Sequence, residues 1–177
     1  MNIHPIFVHF PIAFLTVYAV CELIWIKRLR NNEIWQGIKA ALLGFGILGA
    51  FVALRTGELV AETVGGGGNQ LIATHSSWAN ITTLIFGFAA LVYLIVYVER
   101  YFGIDISRKL NPAGWYIRVF NFKTRAAKII WRSPFIAILA LAGLIAVTIT
   151  GALGAAMVYG PDTDPVVKII YSFFFPQ

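Results

Sequence analysis

Only three histidines occur in this chain, His4, His9 and His75. No other common side chain both titrates near neutral pH and ligates metals as readily. His4 and His9 open the first apolar segment, and His75 opens the third. In so apolar a setting the chemistry open to them is narrow: axial ligation of a haem iron, a copper site, or carriage of a proton. Other signatures are missing. Cys21 is the single cysteine, and the sequence holds no C-x-x-C-H for covalent haem, no H-E-x-x-H and no phosphate loop.

The elements that must position these residues follow from composition. The chain has 177 residues, of which 59% are hydrophobic and only 12% charged, against roughly 25% charged in a soluble domain. Four stretches reach the roughly 20 apolar residues that cross a bilayer, approximately Pro5–Ile26, Ile34–Leu54, Ser76–Val98 and Pro134–Tyr159. Glu22 and Lys39 fall near span ends, where long side chains can snorkel to water. The expected fold is all-α: a polytopic membrane four-helix bundle forming one domain over residues 1–177.

Orientation follows from the basic residues. Lys27, Arg28 and Arg30 join segments one and two, and eight Lys and Arg residues from Arg100 to Arg132 join segments three and four. Basic loops stay in the cytoplasm, so both termini and all three histidines are expected on the extracytoplasmic side. Anionic lipid of the inner leaflet accounts for the basic balance, with no need of a nucleic-acid partner. The first segment does not read as a cleavable signal, because basic residues follow it rather than precede it.

The chain also looks internally repeated, as a duplicated two-helix hairpin. His9, Ala13, Leu15 and Thr16 match His75, Ala79, Ile81 and Thr82 in spacing, and Thr56-Gly57 reads against Thr150-Gly151 with Gly49 over Gly143. If so, His9 and His75 are symmetry mates at equal depth, suited to hold one b-type haem from both sides of the bundle. His4 lies about 140° away from His9 on a regular helix and cannot simply replace it. Pro11 would bend the first helix near His9. Arg55 could grip haem propionates or pair with Glu58 or Glu62. Small-residue stripes, Gly46, Ala50, Ala53 and Gly57, then Ala146, Thr150 and Gly154, let helix backbones approach closely. Between segments three and four, Trp115, Tyr116, Val119, Phe120, Phe122, Ile129, Ile130 and Trp131 alternate with basic residues, as in an amphipathic segment lying in the membrane interface. The tail from Pro161 is apolar enough to lie on the outer leaflet or against another subunit.

The opening His4-Pro5-Ile6-Phe7-Val8-His9-Phe10-Pro11-Ile12-Ala13 resembles the HP-x-x-VHFPIA start of a family of four-span bacterial membrane proteins known as a domain of unknown function. The Thr-Gly after segment two, the histidine opening segment three and the "GALGAAMVYG" ending segment four are similar to that family too. The resemblance implies four helices with extracytoplasmic histidines in a bacterial inner membrane. Coupling of some members to Rieske-type or cytochrome c modules implies redox work. The long basic stretch before segment four departs from the family by its length.

Three functions stay open at the level of sequence. The first is an electron-transfer subunit with haem b ligated by His9 and His75, Arg55 beside its propionates, and a membrane or extracytoplasmic redox partner. The second is a non-redox scaffold subunit of a larger respiratory or photosynthetic complex. The third is an outer-face copper site built from His4, His9 and His75.

Overall fold

The structure, a computed structural model, describes residues 4–63, 69–109 and 115–176. The glycine run Gly65–Gly68 lies outside the described residues, as do the side chains of Trp115, Tyr116 and Phe120. Seven helices are described: α1 His4–Leu23, α2 Lys27–Arg30, α3 Glu33–Thr63, α4 Gln70–Lys109, α5 Trp115–Arg132, α6 Phe135–Tyr159 and α7 Pro165–Phe174. Helices α1, α3, α4 and α6 contain stretches long and apolar enough to cross a membrane. Helices α3 and α4 extend beyond the apolar stretches of the sequence, because the intrahelical hydrogen-bond ladder continues into polar residues that hydropathy does not mark.

Local chemistry sets the boundaries. Asn32 Oδ1 accepts from the Trp35 N–H at the start of α3, and Asn69 Oδ1 accepts from the Leu71 N–H at the start of α4. Each satisfies a donor the first helical turn leaves open. Helix α6 stops at Gly160, whose φ of 92° is open to glycine and strained for other residues. Asp164 then caps α7, accepting from the Val166 and Val167 N–H groups.

The spans form a four-cornered bundle. Helix α1 packs on α3 and α6, and α4 packs on the same two, so α1 and α4 lie on one diagonal and α3 and α6 on the other. Leu15, Tyr18, Phe86, Leu43, Ile136 and Leu153 are fully enclosed, with the Tyr18 ring edge-on to both Phe86 and Tyr93 across the diagonal. The outward positions, such as Phe45, Leu48, Leu84 and Ile138, are large and apolar, a surface that only lipid or another apolar partner covers favourably. Helix α5 lies against α4 and α6 at one end of the bundle, and α7 against α6 at the other. The apolar tail thus folds back on its own chain, with Val167 buried against Ala152 and Ala156.

The two hairpins are equivalent, but in a register different from the one expected. His75, Phe86 and Tyr93 each fall 71 positions after His4, Leu15 and Glu22. Leu15 and Phe86 are both fully enclosed, and Glu22 and Tyr93 are both buried. On the partner helices, Gly143, Thr150 and Gly154 each fall 97 positions after Gly46, Ala53 and Gly57. A Cβ on Gly46 would strike Leu15 and one on Gly143 would strike Phe86; a Cβ on Gly57 would touch His4 and one on Gly154 would touch His75. Pairing His9 with His75 would instead set enclosed Leu15 and Tyr18 over exposed Ile81 and Leu84. His4, not His9, is therefore the counterpart of His75. The two offsets differ because α5 lengthens the second hairpin's connection.

Candidate functional site

At the histidine end each imidazole is seated against the partner helix of its hairpin, though by different groups. His75 Nδ1 lies 3.0 Å from the Thr150 carbonyl oxygen on α6. A carbonyl only accepts, so Nδ1 carries the proton and the lone pair sits on Nε2. His4 Nδ1 lies 2.9 Å from Thr56 Oγ1 on α3. With its single proton on either the Val52 or the Ala53 main-chain carbonyl, the Thr56 hydroxyl accepts from His4, and His4 is then the same tautomer. Thr82 and Thr150 add a hydroxyl pair at 3.1 Å, in which Thr150 accepts because its own proton goes to Ala146 O. Both imidazole edges lie against glycine: a Cβ would come 3.1 Å from His4 Cε1 at Gly57 and 3.2 Å from His75 Cε1 at Gly154. The small-residue stripes thus seat the rings as well as the backbones.

Helix geometry aims the rings. Glu22 lies 18 residues after His4 and Tyr93 lies 18 after His75, which is about five full turns, so each pair shares one face of its helix. Tyr93 Oη donates to Glu22 Oε2 at 2.6 Å across the diagonal. The same faces therefore carry His4 and His75 toward the bundle axis at the opposite end, about 27 Å away. Burial holds the His4 imidazole below its ordinary pKa of 6.5, with its main-chain hydrogen bond opposing that shift.

The other residues singled out in the sequence lie elsewhere. His9 is on the exposed face of α1, in keeping with the rotation between it and His4. Pro11 is buried in α1, and a Cβ on Gly49 would meet its ring at 3.1 Å. Arg55 is exposed and pairs with Glu58 at 3.1 Å. Among the described residues, no three His, Cys, Asp or Glu side chains gather as a metal site, so the histidines are not brought together as a trio.

A second polar cluster, absent from the sequence reading, occupies the basic end. Glu22 and Lys39 do not snorkel. Their side chains are 4% and 2% exposed and pair at 3.0 Å, with Lys39 Nζ donating to both carboxylate oxygens. Tyr93 completes the carboxylate's partners, and Gln36 Nε2 donates to the Arg30 carbonyl at 2.7 Å beside it. The signal available in the sequence was the spacing from Glu22 to Lys39 across a short turn, which lets two adjacent spans bring opposite charges level. A cavity of about 950 Å³ opens over this pair, bounded by residues of α2, α3 and α5 and by the ends of α1 and α4.

No curated protein and no solved structure matches this chain. Over residues 1–163 it matches the family described as "Predicted membrane protein (DUF2231)", and it belongs to that family of membrane proteins of unknown function.

Proposed function

We propose that the chain is an electron-transfer subunit of a bacterial inner membrane, holding one b-type haem between His4 and His75 near the extracytoplasmic face. The observation that carries this reading is the matched tautomer of the two imidazoles. Each turns its Nδ1 toward the partner helix of its own hairpin, which fixes the ring and makes Nε2 the nitrogen that would ligate. Ligating histidines are commonly held by such a second bond from the other ring nitrogen. The donor set also fits: two neutral imidazoles on diagonal helices, each beside a glycine that leaves room at the ring edge. A haem so ligated on both faces supplies one-electron transfer rather than oxygen chemistry. The chain's residues would hold it: Thr56 and Thr150 set ring orientation, and the enclosed Leu15–Phe86 layer separates the site from the buried charges at the other end. The partners would be a quinone or membrane complex and an extracytoplasmic acceptor.

The test is the absorption spectrum of the purified full chain. A Soret band that shifts on dithionite reduction is expected. His4→Ala and His75→Ala should each abolish it, and His9→Ala should leave most of it. A band that survives both His4→Ala and His75→Ala would overturn the ligand pair. A colourless, folded preparation would instead select a scaffold role, which the exposed apolar residues Phe122 and Ile129 of α5 and Ile169 and Phe173 of α7 favour as docking surface.

A further inference from the structure

The cavity at the basic end brings together more cations than it neutralises. Its lining includes Lys27, Arg30, Lys39, Arg100, Lys128 and Arg132 against Glu22, Glu33 and Glu99. Each carboxylate is taken: Glu22 by Lys39, Glu33 by Arg100 and Glu99 by Lys128. Lys27, Arg30 and Arg132 remain, with no carboxylate partner among the described residues. Lys27 and Arg30 come from α2 and Arg132 from the end of α5, and the Arg30 side chain reaches the Arg132 main chain, so like charges converge on one stretch of the lining. Such convergence favours a counter-anion beside them.

Arg30 is held ready for one. Its guanidinium lies over the Trp25 ring at 3.5 Å, and Nη2 donates to the Arg132 carbonyl at 2.9 Å. Four further N–H donors of a planar fork suited to phosphate oxygens remain to it. Trp25 and Trp131 line the same cavity with Val96, and such amphipathic rings favour the depth at which lipid headgroups sit. The floor is the neutralised Glu22–Lys39 pair, which does not repel an anion.

From this geometry we infer that the cavity binds the phosphate of an anionic phospholipid headgroup of the leaflet at the basic end. Cations converging between membrane helices at that level form the kind of pocket that retains such headgroups. Charge and aromatic lining together identify the ligand, and the site is independent of the histidine end.

The test uses the purified full chain in neutral detergent, with bound lipid measured by native mass spectrometry. Dioleoyl phosphatidylglycerol, dioleoyl phosphatidylcholine and inorganic phosphate are the three probes. Retention of phosphatidylglycerol over phosphatidylcholine is expected. Arg30→Gln with Arg132→Gln should weaken it about thirtyfold, at about fivefold per cation. Lys123→Gln with Arg125→Gln removes the same charge from α5 at residues that do not line this cavity and should change retention less than about twofold, since solvent and salt screen them from the headgroup. Arg132→Lys keeps the cation and should stay near wild type, which separates lost charge from lost folding. Equal losses in the two double variants, or no preference between the lipids, would overturn the site. If inorganic phosphate alone occupies it with the same dependence on Arg30 and Arg132, the phosphate site stands and its lipid source is wrong.

Discussion

The two hairpins agree at one end of the bundle and diverge at the other. At the histidine end, His4 against Gly57 repeats as His75 against Gly154, and in the middle Leu15 against Gly46 repeats as Phe86 against Gly143. At the basic end, Glu22 stands where the second hairpin has Tyr93, and Lys39 where it has Ile136. The physical reason lies in how symmetric positions meet. Residues equivalent across a central axis touch one another, so two carboxylates at positions 22 and 93 would repel in a medium too apolar to screen them. A carboxylate and a hydroxyl attract, and they are found at 2.6 Å. Neutral imidazoles carry no such conflict, so the histidine end can keep its symmetry, which a ligand held from both sides requires.

The most severe way to break this contrast is to strip the asymmetric end of one charge. Lys39→Leu would leave Glu22 buried with Tyr93 as its main partner, and should destabilise the chain by about 3–5 kcal/mol. Glu22→Leu with Lys39→Leu removes the conflict and should recover most of that loss, since paired buried charges are often replaceable by apolar residues. Chemical unfolding in detergent, followed by circular dichroism, measures both. A neutral Lys39→Leu would mean that water reaches the Glu22 carboxylate.

A milder pair of substitutions probes the symmetric layer. A Cβ on Gly143 would come 2.6 Å from Phe86 Cζ, with two further ring carbons at 2.9 Å. A Cβ on Gly46 would come 2.5 Å from Leu15 Cδ2. The contacts are equivalent, but the neighbours are not: a leucine methyl can rotate away, whereas an enclosed phenyl ring must move as a plate. Gly143→Ala should cost about 1–3 kcal/mol, with Gly46→Ala at or below the lower bound. Equal costs in the same unfolding assay would show that the α1–α3 contact is as rigid as α4–α6.

The spans and the amphipathic α5 were legible because each depends on local composition. Apolar runs of span length mark α1, α3, α4 and α6, and alternation of basic and aromatic residues marks α5. The repeat was legible only in outline. Matching identical residues chose His9 with His75, because histidine aligned with histidine at the price of the burial pattern; enclosed Leu15 and Phe86 share no identity and carry the true register. The Glu22–Lys39 pair was hidden for a related reason. Hydropathy treats each charge alone near a span end, and only helix packing shows that the two side chains turn inward and neutralise each other. The seats of the imidazoles lie far from them in sequence, so Thr56 and Thr150 are matched there three residues out of the observed register, without being recognised as hydrogen-bond partners.

The finest difference concerns titration at the histidine end. Burial lowers the His4 pKa below 6.5, so between the folded value and 6.5 the unfolded chain binds more protons than the folded one. Stability therefore rises with pH in that window. The contribution of the neutral ring is complete above 6.5 and is lost as pH falls through the folded value. In a series on the haem-free chain from about pH 8 to about pH 5, the unfolding midpoint should fall once pH drops below 6.5, and His4→Gln should flatten that part of the curve. The effect should be the smallest of the three, because His4 is only half-buried and water screens its charge. The slope is the decisive readout, since loss of the Thr56 hydrogen bond in His4→Gln shifts the whole curve without changing its shape. An unchanged slope in that variant would mean that protons enter the fold elsewhere, and that His4 is not held neutral by its seat between α1 and α3.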